Sequence, residues 1–250
     1  MSLFLAIDIG NSRMKWGLHG PHGWRAQGVT PNIEIGTLAL RDWHSLPRPM
    51  RVVGVNVAGE SARVRLEAQL ARWRLTPEWI VATEHACGVT NLYARPAQLG
   101  ADRWASLCAA RRRSLVDDLF PPACVVVNAG TAVTIDALDA DGKFRGGFIL
   151  PGLRLMLRVL AENTAALKVS PGEVKPFPDN TADAIYSGAV NAVCGAIEQM
   201  RRQIDPRRPD CVRCYLAGGA ASEISAYLNP PLEVVDNLVL EGVLALAGIL

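Results

Sequence analysis

Asp8 closes an apolar run, Leu3-Phe4-Leu5-Ala6-Ile7, and the residues after it, Ile9-Gly10-Asn11-Ser12-Arg13-Met14-Lys15, make a polar turn ahead of a second apolar stretch. A glycine in such a turn lets backbone N–H groups approach a phosphate closely, because no Cβ intervenes. Asn11 and Ser12 add side-chain donors and Lys15 a positive charge, while Asp8, at the end of a buried strand, is placed to hold magnesium directly or through water. The device recurs in Ala123-Cys124-Val125-Val126-Val127-Asn128-Ala129-Gly130-Thr131, where Asn128 aligns with Asp8, Gly130 with Gly10 and Thr131 with Asn11. Thr134 supplies a hydroxyl to this second copy. Alone, each glycine turn is more simply a tight hairpin. As a pair they suit the β- and γ-phosphates of one nucleotide, and Gly218-Gly219, after a further apolar run, suits a nucleobase or ribose lying on the backbone.

Phosphoryl transfer also needs a carboxylate that orients the acceptor hydroxyl and takes its proton. Asp102, in Leu99-Gly100-Ala101-Asp102-Arg103-Trp104, is the best candidate. Gly100 loosens the backbone at a helix start, Asp102 falls in the first turn, and Arg103 can bind an anion. The plainer alternative is an N-terminal acid complementing the helix dipole. Asp136 and Asp139 fit less well, lying along or just after the second hairpin.

The elements that must position these residues follow from the same repetition. Residues 3–18 and 123–138 each read as strand, glycine turn, strand, and a third strand, Phe144 to Leu150, follows the Asp141-Gly142 turn. The chain therefore reads as a duplicated module. Helical periodicity covers Glu60–Leu75 with Ser61 as a cap, Leu99–Ser114, Gly152–Lys168, Thr181–Ile204 capped by Asn180 or Thr181, and Leu238–Leu250. A strand over Val212–Leu216 leads into the Gly218-Gly219 break. Pro121-Pro122 marks the expected boundary, giving domains over 1–119 and 120–250. The expected fold class is α/β, with mixed sheets flanked by helices and the two turns facing each other across a cleft.

Composition narrows the function from another side. Half of the 250 residues are hydrophobic, a fifth are charged, and the net charge is +2, which makes no case for a nucleic-acid or membrane surface. The dense basic run Arg111-Arg112-Arg113 reads as a solvated helix end. The apolar opening lacks a basic flank and stops at Asp8, too soon for a secretion signal or a membrane span, so a cytoplasmic protein is expected. Six cysteines are scattered through apolar runs and read as reduced core residues. Cys211 and Cys214 form a C-x-x-C, but no second pair or nearby histidine completes a zinc site.

The segments Asp8-Ile9-Gly10-Asn11-Ser12, Gly100-Ala101-Asp102-Arg103, Gly130-Thr131-Ala132-Val133-Thr134-Ile135-Asp136 and Asn180-Thr181 together resemble the ordered motif set of type III pantothenate kinases. The tail Asp236-Asn237-Leu238-Val239-Leu240-Glu241-Gly242 is similar to that family's end. The resemblance implies the actin/Hsp70/sugar-kinase superfold with two ribonuclease-H-like halves, a homodimer, and phosphorylation of pantothenate by ATP with magnesium. It implies that Asp102 is the general base, that Asp8 to Lys15 and Thr131 bind ATP, and that Tyr93 and Gly100 to Arg103 line the pantothenate site. Thr181 would reach that site from the partner protomer. The family's ligand for a monovalent cation, potassium or ammonium, is an Asp where this chain has Asn128. Asn keeps an oxygen and loses the charge, which predicts a weaker or altered cation requirement.

Two other readings stay open on the residues alone. One is a kinase of this superfold acting on a sugar or acetate. The other is a non-catalytic regulator or accessory transcription factor that retains the fold. Gly100–Arg103 with Asn180-Thr181 favours pantothenate, and the presence of Asp8, Asp102 and Thr131 favours a kinase.

Overall fold

Two apolar runs become the central strands β1 (Phe4–Ile9) and β8 (Cys124–Ala129), each covered on both faces as continuous hydrophobic runs require. On one side β1 pairs antiparallel with β2 (Arg13–Gly20), and β2 with β3 (Gly23–Pro31). On the other it lies parallel to β4 (Arg51–Asn56), which lies parallel to β5 (Glu78–Trp79). β8 has β9 (Ala132–Leu138) and β10 (Lys143–Pro151) on its antiparallel side, and β11 (Arg213–Ala217) and β12 (Leu232–Val234) on its parallel side. The orders β3-β2-β1-β4-β5 and β10-β9-β8-β11-β12 are one permutation used twice. The duplication read from two glycine turns thus extends to five strands in each half.

This computed structural model describes residues 2–163 and 172–250. The remaining elements are α1 (Glu60–Leu70), the short hairpin β6 (His85–Ala86) and β7 (Val89–Asn91), α2 (Ala101–Asp117), α3 (Leu153–Asn163), α4 (Thr181–Ile204), α5 (Ala221–Ile224) and α6 (Leu238–Leu246). Among the described residues no helix is long and apolar enough to cross a membrane.

The chain forms two compact units, one running up to Arg113 and joined by Asn237–Leu250, the other Ser114–Asp236. In the first, Leu5, Ile7, Ile9, Met14 and Trp16 pack under Leu66 and Leu70 of α1, while Ala6, Val53 and Val55 on the opposite face meet Ala105 of α2 and Leu240, Val243 and Leu244 of α6. In the second, Val125, Val127, Val133 and Ile135 lie under Val190, Val193, Ile197 and Met200 of α4. The sequence expectation of domains over 1–119 and 120–250 put α6 with the second half. Its apolar side instead completes the first sheet.

Local readings also differ in places. Ser61 does not cap α1; Gly59 occupies that position with no side-chain bond, and Ser61 Oγ accepts from Arg65 Nη2 at 2.9 Å. α2 continues to Asp117, so Arg111–Arg113 lie within the helix, and Arg113 is paired rather than solvated. Asn180 is the cap of α4, its Oδ1 accepting from the Asp183 N–H at 3.0 Å. The expected helix over 152–168 is present as α3 from Leu153 to Asn163; its remainder lies outside the described residues. Cys214 is buried in β11 and Cys211 sits half-exposed before it, accepting from Arg208 Nη2 at 3.0 Å.

Candidate active site

The first glycine turn joins β1 to β2. The last strand pair is Ile9 with Met14, and the Gly10 N–H donates to the Arg13 carbonyl at 3.1 Å. Ile9 and Met14 point into the core, so only their backbone can serve a ligand. Asn11, Ser12 and Arg13 are exposed at the tip. Asp8 stands opposite Lys15 in register, and directly opposed residues share one face of a sheet with Cβ atoms about 4.5–5.5 Å apart.

A residue that sequence reasoning passed over holds this turn. Asn32 Nδ2 donates to the Gly10 carbonyl at 2.7 Å and the Asn11 carbonyl at 3.1 Å, and its N–H donates to the Ser12 carbonyl at 3.2 Å. Three successive carbonyls that would repel a phosphate are thereby engaged by donors. Arg65 Nη1 steadies Asn32 in turn, donating to its carbonyl at 3.2 Å.

Asp8 Oδ1 is buried with no hydrogen-bond partner among the described residues. Burial first, and then the negative charge of Asp102, push the Asp8 carboxyl up to about 7, against the opposing pull of Lys15. An anionic oxygen left without a donor is the kind of atom a cation satisfies, so Asp8 fits a magnesium ligand. Among the described residues no three His, Cys, Asp or Glu side chains cluster as a metal site. Most of the ion's ligands would then be nucleotide oxygens and water, as is usual for magnesium.

Asp102 lies in the first turn of α2, and its Oδ1 accepts from the Arg103 N–H at 2.8 Å. A Cβ on Gly100 would stand 2.7 Å from that same oxygen, so glycine makes room for the carboxylate. Arg103 is buried beside Tyr93, its guanidinium 5.9 Å from the ring centre and Nη2 donating to the Tyr93 Oη at 3.4 Å. Buried Asn91 orders the loop that presents Tyr93. Its Oδ1 accepts from the Tyr93 N–H at 3.1 Å, and its Nδ2 donates to the carbonyls of Thr83 and Pro96 at 3.3 and 3.1 Å.

The tail segment seats this helix. Glu241 takes both Arg113 Nε and Nη2 at 2.7 Å in a bidentate pair. A Cβ on Gly242 would stand 1.8 Å from the Ala105 carbonyl oxygen, so only glycine allows α6 to lie this close to α2.

The second turn is one residue tighter. Its last strand pair is Ala129 with Val133, and the Gly130 N–H donates to the Ala132 carbonyl at 3.0 Å. Asn128 consequently faces Thr134, whose Oγ1 is buried without a partner among the described residues. Two neutral side chains on one face suit a weakly held monovalent cation better than a magnesium ion. Thr131 is exposed, and its carbonyl accepts from the Gly152 N–H at 2.9 Å. A Cβ at Gly152 would come within 2.1 Å of the Gly130 carbonyl oxygen, and one at Gly218 within 2.5 Å of the Ala129 carbonyl oxygen. Asp136 is fully buried within β9, and Asp139 is a turn former whose Oδ1 accepts from the N–H groups of Asp141 and Lys143.

Thr181, the exposed first residue of α4, stands beside a fixed polar knot. Asp183 accepts from the Glu173 N–H at 2.8 Å, from Lys175 Nζ at 2.7 Å and from Asn180 Nδ2 at 2.7 Å. Chiefly the Glu173 N–H, then Lys175 and Asn180, hold its carboxyl down at about 2. The first unit thus gathers Asp8, Lys15, Asp102, Arg103 and Tyr93, and the second carries Asn128, Thr131 and Thr181.

The family profile described as Type III pantothenate kinase matches residues 4–203. A type III pantothenate kinase of Aromatoleum aromaticum is 47% identical, over 98% of this chain and 98% of that protein. One from Nitrosospira multiformis is 46% identical over 98% of this chain and 91% of its own length. Among solved structures, a Baf family transcriptional activator from Campylobacter jejuni aligns with a TM-score of 0.62 at 20% identity, covering 95% of this chain and 94% of the other. A 2-dehydro-3-deoxygalactonokinase protein from Sinorhizobium meliloti aligns at 0.59 and 14% identity, covering 98% of each. At such identities these two structures speak for the fold alone, and it is the actin/Hsp70/sugar-kinase superfold.

Proposed function

This chain belongs to the type III pantothenate kinase family and phosphorylates pantothenate with ATP on the path to coenzyme A; we propose how its residues divide that work. Asp102 is the general base. It takes the proton of the pantothenate hydroxyl as the oxygen bonds to the γ-phosphorus and the bond to ADP breaks. Lys15, Asn11, Ser12, Arg13 and the backbone of Ile9, Gly10 and Met14 hold the phosphates from the first turn, and Thr131 does so from the second. Gly100, Ala101, Arg103 and Tyr93 line the acceptor site, where the buried Arg103 guanidinium suits the carboxylate of pantothenate.

The observation that carries this reading is the electrostatic coupling of two carboxylates from different elements. Asp102 on α2 is near enough to raise the Asp8 carboxyl on β1. One acid is left unpartnered for a cation and the other stands at a glycine-opened helix start, the two places this reaction requires. Magnesium, when bound with the nucleotide at Asp8, offsets negative charge on the phosphate oxygens. Asn128 and Thr134 offer neutral oxygens to potassium or ammonium.

We read the protein as a cytoplasmic homodimer in which Thr181 reaches the partner's pantothenate site. Supporting this, α3 buries only Leu153, while Val159, and Ile149 on the preceding strand, stay exposed at 45% and 64%. Purified protein with Mg-ATP should release ADP with pantothenate and not with sugars or acetate, giving 4′-phosphopantothenate. Turnover of a sugar or acetate instead would overturn the substrate. A fully active monomer in sedimentation would remove the dimer.

A further inference from the structure

Cys87 and Gly88 form the two-residue loop between β6 and β7, both with positive φ, 50° and 74°. Such turns favour Asn, Asp or Gly at the first central position, so turn formation does not account for a cysteine there. Cys108 on α2 is fully buried beneath this loop, with its Sγ 3.9 Å from the Ala86 carbonyl oxygen. That contact brings the Cys108 sulfur to the residue next to Cys87, close enough for each thiol to act on the other, and the charge of Arg112, one helical turn beyond Cys108, acts on Cys87 as well. Cys87 itself is half-exposed.

We propose that Cys87 and Cys108 are a reactive dithiol, a modification site that a hydroperoxide converts to an intramolecular disulfide. The neighbouring Cys108 thiol, reinforced by the Arg112 charge, lowers the Cys87 thiol to about 7, whereas the neighbouring Cys87 and burial hold Cys108 as a thiol. An accessible thiolate beside a resolving thiol is the arrangement of a redox-sensitive site. The Cys87 thiolate attacks one peroxide oxygen; the O–O bond breaks, Cys87 becomes a sulfenic acid, and the departing alkoxide or hydroxide takes a proton from solvent and leaves as an alcohol or water. The Cys108 sulfur then bonds to the Cys87 sulfur. The S–O bond breaks, and the departing hydroxide takes the Cys108 proton and leaves as water. The product ties the β6–β7 hairpin, which Tyr93 closely follows in the chain, to the helix that carries Asp102 and Arg103.

The test is peptide mapping of the full-length protein, reduced, desalted and treated with stoichiometric hydrogen peroxide. The peptides of residues 87 and 108 should be joined, lighter by two hydrogens and separable by dithiothreitol, with the other four cysteines still alkylated. In Cys108→Ala, dimedone should trap a sulfenic acid on Cys87, because no partner resolves it; in Cys87→Ser, Cys108 should stay reduced. A free Cys87 after treatment, or its pairing with any cysteine other than Cys108, overturns the proposal. The wild-type map decides this even where Cys108→Ala does not fold.

Discussion

The turn at Gly10 and the turn at Gly130 begin from the same strand order and end with different chemistry. The first leaves four residues between its last paired positions, Ile9 and Met14, and the second leaves three, between Ala129 and Val133. That single residue decides what faces the strand's polar position: Lys15 opposite Asp8, and Thr134 opposite Asn128. The supports differ as well. Side-chain and backbone donors of Asn32 hold the first turn, whereas the second has the backbone at Gly152 and Gly218 pressed against its carbonyls. Duplication kept a scaffold and let charge collect on one copy. In the function proposed above, the copy with charge supplies the magnesium ligand and lies near the base, and the neutral copy is left with gripping and with a weak cation site.

The largest effect should come from the charged copy. Asp102→Asn keeps the shape and cannot accept a proton, so kcat should fall on the order of 10²-fold or more, with nucleotide Kd nearly unchanged. Asp8→Asn should instead weaken Mg-nucleotide binding together with turnover. Its stability should move the other way. The Asp8 carboxyl is raised from 3.8 to about 7 in the fold, so the unfolded chain gives up this proton first and the wild type loses stability as pH rises through that window. Free of nucleotide at pH 8, Asp8→Asn should melt higher than the wild type. Near wild-type kcat in Asp102→Asn would move the base elsewhere, and the buried Asp136 of β9 would not be it.

An intermediate effect should follow from removing the support. Asn32→Ala deletes two hydrogen bonds, worth about 1–3 kcal/mol together, and should raise KM for ATP about tenfold while KM for pantothenate stays within twofold. Equal rises in both constants would mean that the residue only stabilises the fold. The smallest effect concerns the neutral copy. Asn128→Asp should strengthen the response of turnover to potassium or ammonium, read as a steeper salt titration at constant ionic strength. An absolute potassium requirement in the wild type that Asn128→Asp leaves unchanged would refute this account of Asn128.

The two glycine turns, both central strands and the Asp102 helix start were legible because each is written in contiguous residues, an apolar run meeting a glycine or a glycine preceding an acid. Asn32 was not, since its partners lie 22 and 21 residues away and nothing local in Pro31-Asn32-Ile33 points to them. Asn91 escaped although its partners Tyr93, Pro96 and Thr83 are near in sequence, because they are backbone groups of an irregular loop that no residue pattern marks. β3 is an edge strand whose residues alternate between exposed and half-buried, so its apolar signal is weak. Ser61 looked like a cap by residue type, but the chain entry to α1 is made by Asn56, which accepts from the Ala58 N–H and donates to the Gly59 carbonyl. For α6, an apolar helix announces that it will be buried without saying against which sheet.

That last placement sets an order of events during synthesis. The first sheet exposes Ala6, Val53 and Val55 on the face that α6 will cover, and α6 leaves the ribosome only after the whole of Ser114–Asp236. At about 5–20 residues per second, the face stays open for roughly 6–25 s. The unit that emerges first is therefore finished last, and for those seconds its unfinished sheet is the part of the nascent chain most exposed to wrong partners.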